Sequence, residues 1–322
     1  MTDPTKISPT ATDALEKDFE DSIAERYNRD YHKSPIMRYF DSQFVDYVCE
    51  HYHSQDRVLD LACGPASLWG IFATKLGGTD NIVGVDLSPK MIEQAQSLYP
   101  DGKFEVGSFF DLPFDSGSFD IVIVSSAFHH VHDDLLIKAL EEINRVLDEH
   151  GVLIGREPLQ SKRLSDTDGW LSGALMHFRH MVYRLNHTRE YPEPDPGPNH
   201  HAYDPEEFLQ FISTTFAIKG VSFHNPVSPF IARCKDALVA HIAAFLDLSV
   251  AHRGGHELFY TATKNYSESA DVSQCIQNFI AQNAITDNDK LNFAASLEVA
   301  SRHLEDYLTA NAPKSDTTES KR

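Results

Sequence analysis

From Arg57 the chain alternates short apolar runs with segments of helical period. The apolar runs are Val58–Cys63, Ile82–Asp86, Phe104–Val106, Phe119–Ser125 and Val152–Gly155; between them Ser67–Leu76, Pro89–Leu98 and Asp134–Leu147 repeat their apolar residues every three to four positions. Continuous apolar strands spaced by helices predict βαβ units and a parallel sheet covered on both faces. Upstream, Leu15 to Tyr52 has apolar positions at Ile23, Tyr27, Tyr31, Phe40, Phe44, Val45 and Val48. This predicts two cap helices broken at Ser34-Pro35, after a polar, Pro/Thr-rich and disordered start from Met1 to Asp18.

Past Glu157 the alternation stops. Asp168 to Leu185 sets Leu171, Leu175, Phe178, Val182 and Leu185 on one helical face and His177, His180, Arg184 and His187 on the other. The run YPEPDPGP, Tyr191–Pro198, predicts an extended loop, and Asp204-Pro205 opens a helix with Asp204 as N-cap. Ala217–Phe223 and Glu257–Thr263 predict two more strands around a helix from about Lys235 to Leu248; Leu291–Leu308 is helical and Asn311–Arg322 disordered. The expected architecture is α/β: a doubly wound, mostly parallel seven-stranded Rossmann-like sheet with N-terminal cap helices, a helical insert after the fifth strand and a helical C-terminal extension. Its divisions are a disordered start and cap helices over 1–55, a cofactor-binding core over 56–160, a substrate-side insert or lid over 161–204, completion of the sheet over 205–264 and the extension over 265–322. The C-terminal helix suits packing on the same chain or in a homodimer equally.

Charge narrows the function. Lys and Arg number 28 against 48 Asp and Glu, a net −20. Such a chain would have to build a basic phosphate-gripping surface against its own field, so nucleic acid and anionic membranes are not expected partners. No apolar run is long enough to cross a bilayer, and the four scattered cysteines form no CxxC pair, so a cytoplasmic chain with reduced thiols is expected.

The most specific stretch is Val58 to Ala66, VLDLACGPA: a strand ends in a turn of small residues and a helix follows, which lets a ligand approach the backbone. The next strand ends in Asp86, placed to accept hydrogen bonds from both hydroxyls of a ribose. A dinucleotide and S-adenosylmethionine both suit this geometry. The former wants three glycines where Ala62, Gly64 and Ser67 stand; the latter has no phosphates and needs one close backbone approach plus an acid near its ammonium group, the place of Asp60.

In these motifs the chain resembles the class I S-adenosylmethionine-dependent methyltransferases, particularly their small-molecule branch. The first motif is LDLACGPA, Leu59 to Ala66, the second VGVDLSPKMI, Val83 to Ile92, and the third GSFFDLPFDSGSFDIVIVSSAFHHV, Gly107 to Val131; INRVLDEHGVLIGREP, Ile143 to Pro158, follows. The resemblance implies Asp60, Ala62 and Gly64 near the amino-acid moiety, Asp86 on the ribose and Leu87 and Met91 flanking the adenine. It also implies Ser108 and Phe109 at the adenine edge, Ser125 beneath the sulfonium and Tyr27 in a cover over the cofactor. Ala62 and Ala66 stand where the family commonly has glycine, and Ser108 where it often has aspartate.

The implied reaction moves a methyl group to oxygen or nitrogen, less readily carbon, of a small metabolite, leaving S-adenosylhomocysteine. An imidazole in the loop after the fourth strand would serve as base, with His129 favoured and His130 kept beside it. Candidate acceptor contacts are Tyr31, Arg156, Glu157, His201 and the basic insert face His177, His180 and Arg184, which would suit an anionic acceptor. Arg156 and Glu157 equally suit an ion pair with a cap helix. No HExxH motif or CxxC pair is present, so no metal is expected. The alternatives are a same-cofactor enzyme of another reaction type and a non-catalytic cofactor-binding subunit.

Overall fold

The computed structural model describes residues 9–31, 35–159, 202–225, 237–249, 255–264 and 272–310. Two helices lead, α1 (Pro9–Tyr31) and α2 (Pro35–Cys49), separated at the predicted Ser34-Pro35 break. The alternating section then runs β1 (Val58–Leu61), α3 (Trp69–Leu76), β2 (Ile82–Asp86), α4 (Pro89–Leu98), β3 (Lys103–Val106) and β4 (Phe119–Ser125). A 3-10 turn (Phe128–His130), α5 (Asp133–Val146) and β5 (Leu147–Pro158) follow. The remainder comprises α6 (Pro205–Ser213), β6 (Phe216–His224), α7 (Ala237–Leu248), β7 (Glu257–Lys264), α8 (Val272–Gln282) and α9 (Asp287–Ala310).

The seven strands form one sheet in the order β3-β2-β1-β4-β5-β7-β6. β1 to β5 are parallel, and β7 runs antiparallel to both β5 and β6. The order reverses between β1 and β4, and it is at such a switch point, beyond the carboxyl ends of the strands, that open α/β sheets bind ligands.

Strand alternation divides the core. Leu59, Leu61, Val122, Val124 and Leu153 face one way and pack with α5, α6 and Ile276. Val58, Ile121, Ile123 and Ile154 face the other and pack with Phe44 and Val45 of α2, Trp69 and Phe72 of α3 and Ala95 of α4. Burial on both faces explains why these strands read as continuous apolar runs. Asp204 caps α6 as predicted, accepting from the Glu206 and Glu207 backbone N–H groups at 3.0 and 3.3 Å. Among the described residues no helix is long and apolar enough to cross a membrane.

Two differences from the expected boundaries bear on the site and its sheet. α1 begins at Pro9, inside the stretch read as disordered, because this helix buries polar groups against a cavity rather than an apolar stripe against a core: Thr12 and Glu16 are both buried. β5 extends from Leu147 to Pro158, beyond Val152–Gly155 at both ends, because β4 pairs with it through an irregular register between Phe119 and Ile121 and β7 pairs as far as Pro158. The predicted insert helix over 168–185, the proline loop and the two chain ends 1–8 and 311–322 lie outside the described residues.

Candidate active site

Above the carboxyl edge of β1, β2 and β4 lies a cavity of about 1150 Å³, counted out to its open mouth. The turn after β1 forms its floor through an alternation of left-handed residues: Ala62 at φ 59°, Gly64 at 54° and Ala66 at 61°. The turn therefore takes a conformation that favours glycine although alanine occupies two of the three positions, at a cost of about 1–2 kcal/mol for each alanine. Nothing lies within 4 Å of where a Gly64 side chain would stand, so the backbone is open to a ligand there.

Asp86 closes β2. Its carboxylate accepts from the Gly64 backbone N–H at 2.8 Å through one oxygen and from the Ser88 backbone N–H at 2.9 Å through the other. Burial pushes its pKa up to about 6 against the pull of those two donors. Asp60, in the middle of β1, accepts from the Trp69 indole at 3.0 Å, and burial pushes it up to about 7. Buried carboxyls held above their ordinary range gain from a ligand that brings hydroxyl donors or positive charge. Leu87, Met91 and Phe109 supply apolar lining, and Ser125 lines the cavity as well. This set fits S-adenosylmethionine: acids for a ribose and an ammonium group, apolar side chains for an adenine, and an open glycine between them.

α1 covers the cavity. Tyr27 lines it, as do Asp13, Glu16 and Glu20, none of which was predicted. The helix is tied down where Ser88 Oγ donates to Asp21 at 2.5 Å and the Lys90 backbone N–H to the same oxygen at 3.3 Å. Burial, with the charges of Asp86, Glu16 and Asp21, pushes Glu20 up to about 7. Asp13, Glu16 and Glu20 recur at i, i+3 and i+7, one helical face, and that spacing is the sequence signal that could have found them.

The two candidate imidazoles separate. His129 is buried in the wall, its Nδ1 2.9 Å from Glu157 Oε2, and does not line the cavity. His130 does line it, with Nδ1 3.0 Å from Glu16 Oε1. Burial pulls His130 down, but the hydrogen bond and charge of Glu16, with the charges of Glu20 and Glu157, outweigh it and hold its pKa above the ordinary histidine value. Among the described residues Glu16, Glu20 and His130 also bring three metal-capable donor atoms within 4.8 Å of one another.

Two further expectations change, and a third, Arg156, resolves to one of its two readings. Glu157, offered as an acceptor contact, is fully buried and holds the turn after β4 instead: its Oε1 accepts from the Ala127 and Phe128 backbone N–H groups at 3.0 and 2.9 Å. Arg156 lines the cavity but pairs with Asp41 of α2 at 2.6 Å and donates to Ser125 Oγ at 2.8 Å, the ion pair with a cap helix. Ser108 stands outside the lining, where its Oγ accepts from the Phe110 backbone N–H at 3.1 Å and Asp13 hydrogen-bonds it. The remaining cofactor candidates, Asp60, Ala62, Gly64, Asp86, Leu87, Met91, Phe109, Ser125 and Tyr27, line the cavity together. Tyr31 ends α1 with its side chain outside the described set, and His177, His180, Arg184 and His201 also lie outside the described residues.

Residues 58–151 match the model of a methyltransferase domain family. A demethylmenaquinone methyltransferase of Thermotoga maritima is 36% identical over 112 residues, 34% of this chain and 48% of that protein. One from Symbiobacterium thermophilum is 30% identical over 156 residues, 46% of this chain and 60% of that protein. The chain spans about half the length of these two relatives. Among solved structures, phosphoethanolamine N-methyltransferase 1 of Haemonchus contortus, with phosphoethanolamine and S-adenosylhomocysteine bound, aligns at a TM-score of 0.52 and 14% identity, covering 87% of this chain and 55% of that one. That likeness is one of fold. The match over 58–151, set on this sheet order and this turn after β1, identifies those residues as a methyltransferase domain.

Proposed function

We propose that the chain is an S-adenosylmethionine-dependent methyltransferase acting on a small molecule held beneath α1. The observation that carries this is the Asp86 carboxylate, fixed by the Gly64 and Ser88 N–H groups beside a backbone turn open to a ligand. The bound cofactor supplies a methyl group already activated by a positively charged sulfur. What remains for the protein is alignment, exclusion of water and removal of a proton from the acceptor. Leu87, Met91 and Phe109 orient the base, Asp86 the ribose and Asp60 the amino-acid end, while α1 covers the cavity. His130 is the base, because it lines the cavity and His129 does not.

An acceptor that carries a proton on oxygen or nitrogen makes use of such a base, so we read the acceptor atom as one of these. Carbon is the second reading, favoured by the relatives named for demethylmenaquinone methylation. The lining supports a neutral or cationic acceptor over an anionic one: Asp13, Glu16, Glu20, Asp60 and Asp86 face the cavity, and the guanidinium of Arg156 is matched by Asp41.

The test is turnover of methyl-labelled S-adenosylmethionine with a panel of phenols, amines and quinols, read by product mass. A gain of one CH₂ on an acceptor, with S-adenosylhomocysteine released, supports the proposal. A product with any other mass change favours a same-cofactor enzyme of another type, and binding without any product favours a cofactor-binding subunit.

A further inference from the structure

We infer that Glu16, contributed by α1 from outside the matched domain, is a positioning residue for His130: it holds the imidazole through Nδ1 and leaves Nε2 as the nitrogen offered to an acceptor. The inference rests on the methyltransferase reading above and adds to it a part that residues 58–151 do not contain.

The two side chains meet at 3.0 Å and are largely withdrawn from water, 23% exposed for His130 and 10% for Glu16. Both line the same cavity. A neutral imidazole carries one proton, and a carboxylate on one nitrogen draws the proton there and leaves the other nitrogen as the acceptor. The main chain beneath His130 is fixed as well. Glu157 accepts from the Ala127 and Phe128 N–H groups that open the 3-10 turn, and the His129 ring lies against the His130 ring at a centroid distance of 4.2 Å. The carboxyl groups that face His130 come from three elements: Glu16 and Glu20 from α1, Glu157 from β5 and Asp86 from the end of β2. All of them favour the imidazolium that forms when a proton arrives.

The step balances as follows. The lone pair of the acceptor oxygen or nitrogen forms a bond to the methyl carbon as the carbon–sulfur bond breaks, and the sulfur keeps that electron pair and leaves as a neutral thioether. The acceptor's proton passes to His130 Nε2. Glu16 stays ionised beside the resulting imidazolium and touches no reacting atom.

The three donor atoms of Glu16, Glu20 and His130 within 4.8 Å offer a competing use, a divalent cation that would take Nδ1 as a ligand. Nitrogen-15 NMR of histidine-labelled full-length protein separates the two. The spectra are taken after calorimetry has established S-adenosylhomocysteine binding, so that failure of the cofactor reading shows first and separately. The His130 resonances are assigned with His130→Gln.

In the wild type the neutral ring is expected to carry its proton on Nδ1. Glu16→Gln keeps a hydrogen-bond acceptor and loses the charge, so the tautomer persists while the titration midpoint falls. Glu16→Leu loses both, so the midpoint falls and the proton moves to Nε2. S-adenosylhomocysteine still binds in each variant. A wild-type ring protonated on Nε2, or a midpoint unmoved in both variants while they remain folded by circular dichroism, overturns the inference. So does a His130 signal that shifts with equimolar Mn²⁺ or Zn²⁺ and returns with EDTA.

Discussion

At the scale of single residues, the turn after β1 shows how a glycine motif survives partial replacement. Ala62 and Ala66 adopt the left-handed conformation that glycine would take freely, so part of the folding free energy is stored there. Ala66 is fully buried, whereas the space beside Gly64 is open. The two positions therefore answer oppositely to exchange. Ala66→Gly relieves the left-handed strain, less the greater freedom glycine has when unfolded, and should stabilise the protein by up to about 1 kcal/mol. Gly64→Ala should destabilise it by about 1–2 kcal/mol and also weaken S-adenosylhomocysteine binding, because the new methyl enters the ligand's space. Denaturant melts with and without ligand check both; equal effects of ligand on wild type and Gly64→Ala would contradict the second.

At the scale of elements, one hydroxyl serves both α1 and α4. Ser88 is the N-cap of α4, accepting from the Met91 N–H at 3.1 Å, and it donates to Asp21 of α1 at 2.5 Å. Ser88→Ala removes both, and should cost about 1 kcal/mol through the cap alone. Hydrogen exchange over residues 9–31 should accelerate at the same time; unchanged protection of α1 would show that this contact does not hold the cover down.

The same elements mark what could be read from sequence. β2, β4 and α4 were legible to the residue because their apolar runs are bounded by Pro89, by acids and by small residues. The start of α1 was not, since its buried face is Thr12 and Glu16 and hydrophobic period carries no signal there. All the cofactor candidates but Ser108 line one cavity, most of them because backbone turns and strand ends fix their places locally. The roles of His129 and Glu157 were not legible, because they depend on partners across the fold, Glu157 lying 28 positions from His129; the ion pair of Arg156 with a cap helix was one of two readings open in the sequence, but its partner Asp41, 115 positions away, was not legible. Adjacent histidines look alike until the turn sends one ring into the wall and the other into the cavity.

At the scale of the whole molecule, an acidic chain of net charge −20 gathers several of its carboxyls around one cavity, which couples stability to pH. The folded state holds the Asp60 proton more tightly than an unfolded chain does, at about 7 against 3.8, because burial penalises the charged form. The stability this contributes is fully present below pH 3.8 and is lost as pH rises through about 7, at up to about 1.4 kcal/mol per pH unit. Asp60→Asn keeps an acceptor for the Trp69 indole and removes the titration. Its Tm should therefore decline less than that of the wild type between pH 5 and pH 7 in the absence of ligand; parallel profiles would contradict the assignment.

Calorimetric titration of the full chain with S-adenosylhomocysteine, wild type beside Asp86→Ala, tests the central claim most directly. The account predicts saturable one-to-one binding that tightens as pH rises through about 6, where Asp86 ionises and accepts most strongly from the ribose hydroxyls. It also predicts a loss of at least about tenfold in affinity in Asp86→Ala, the scale of one charged hydrogen-bonding group. No heat at millimolar ligand, or equal affinity in the two proteins, would contradict the claim that this cavity is a cofactor site.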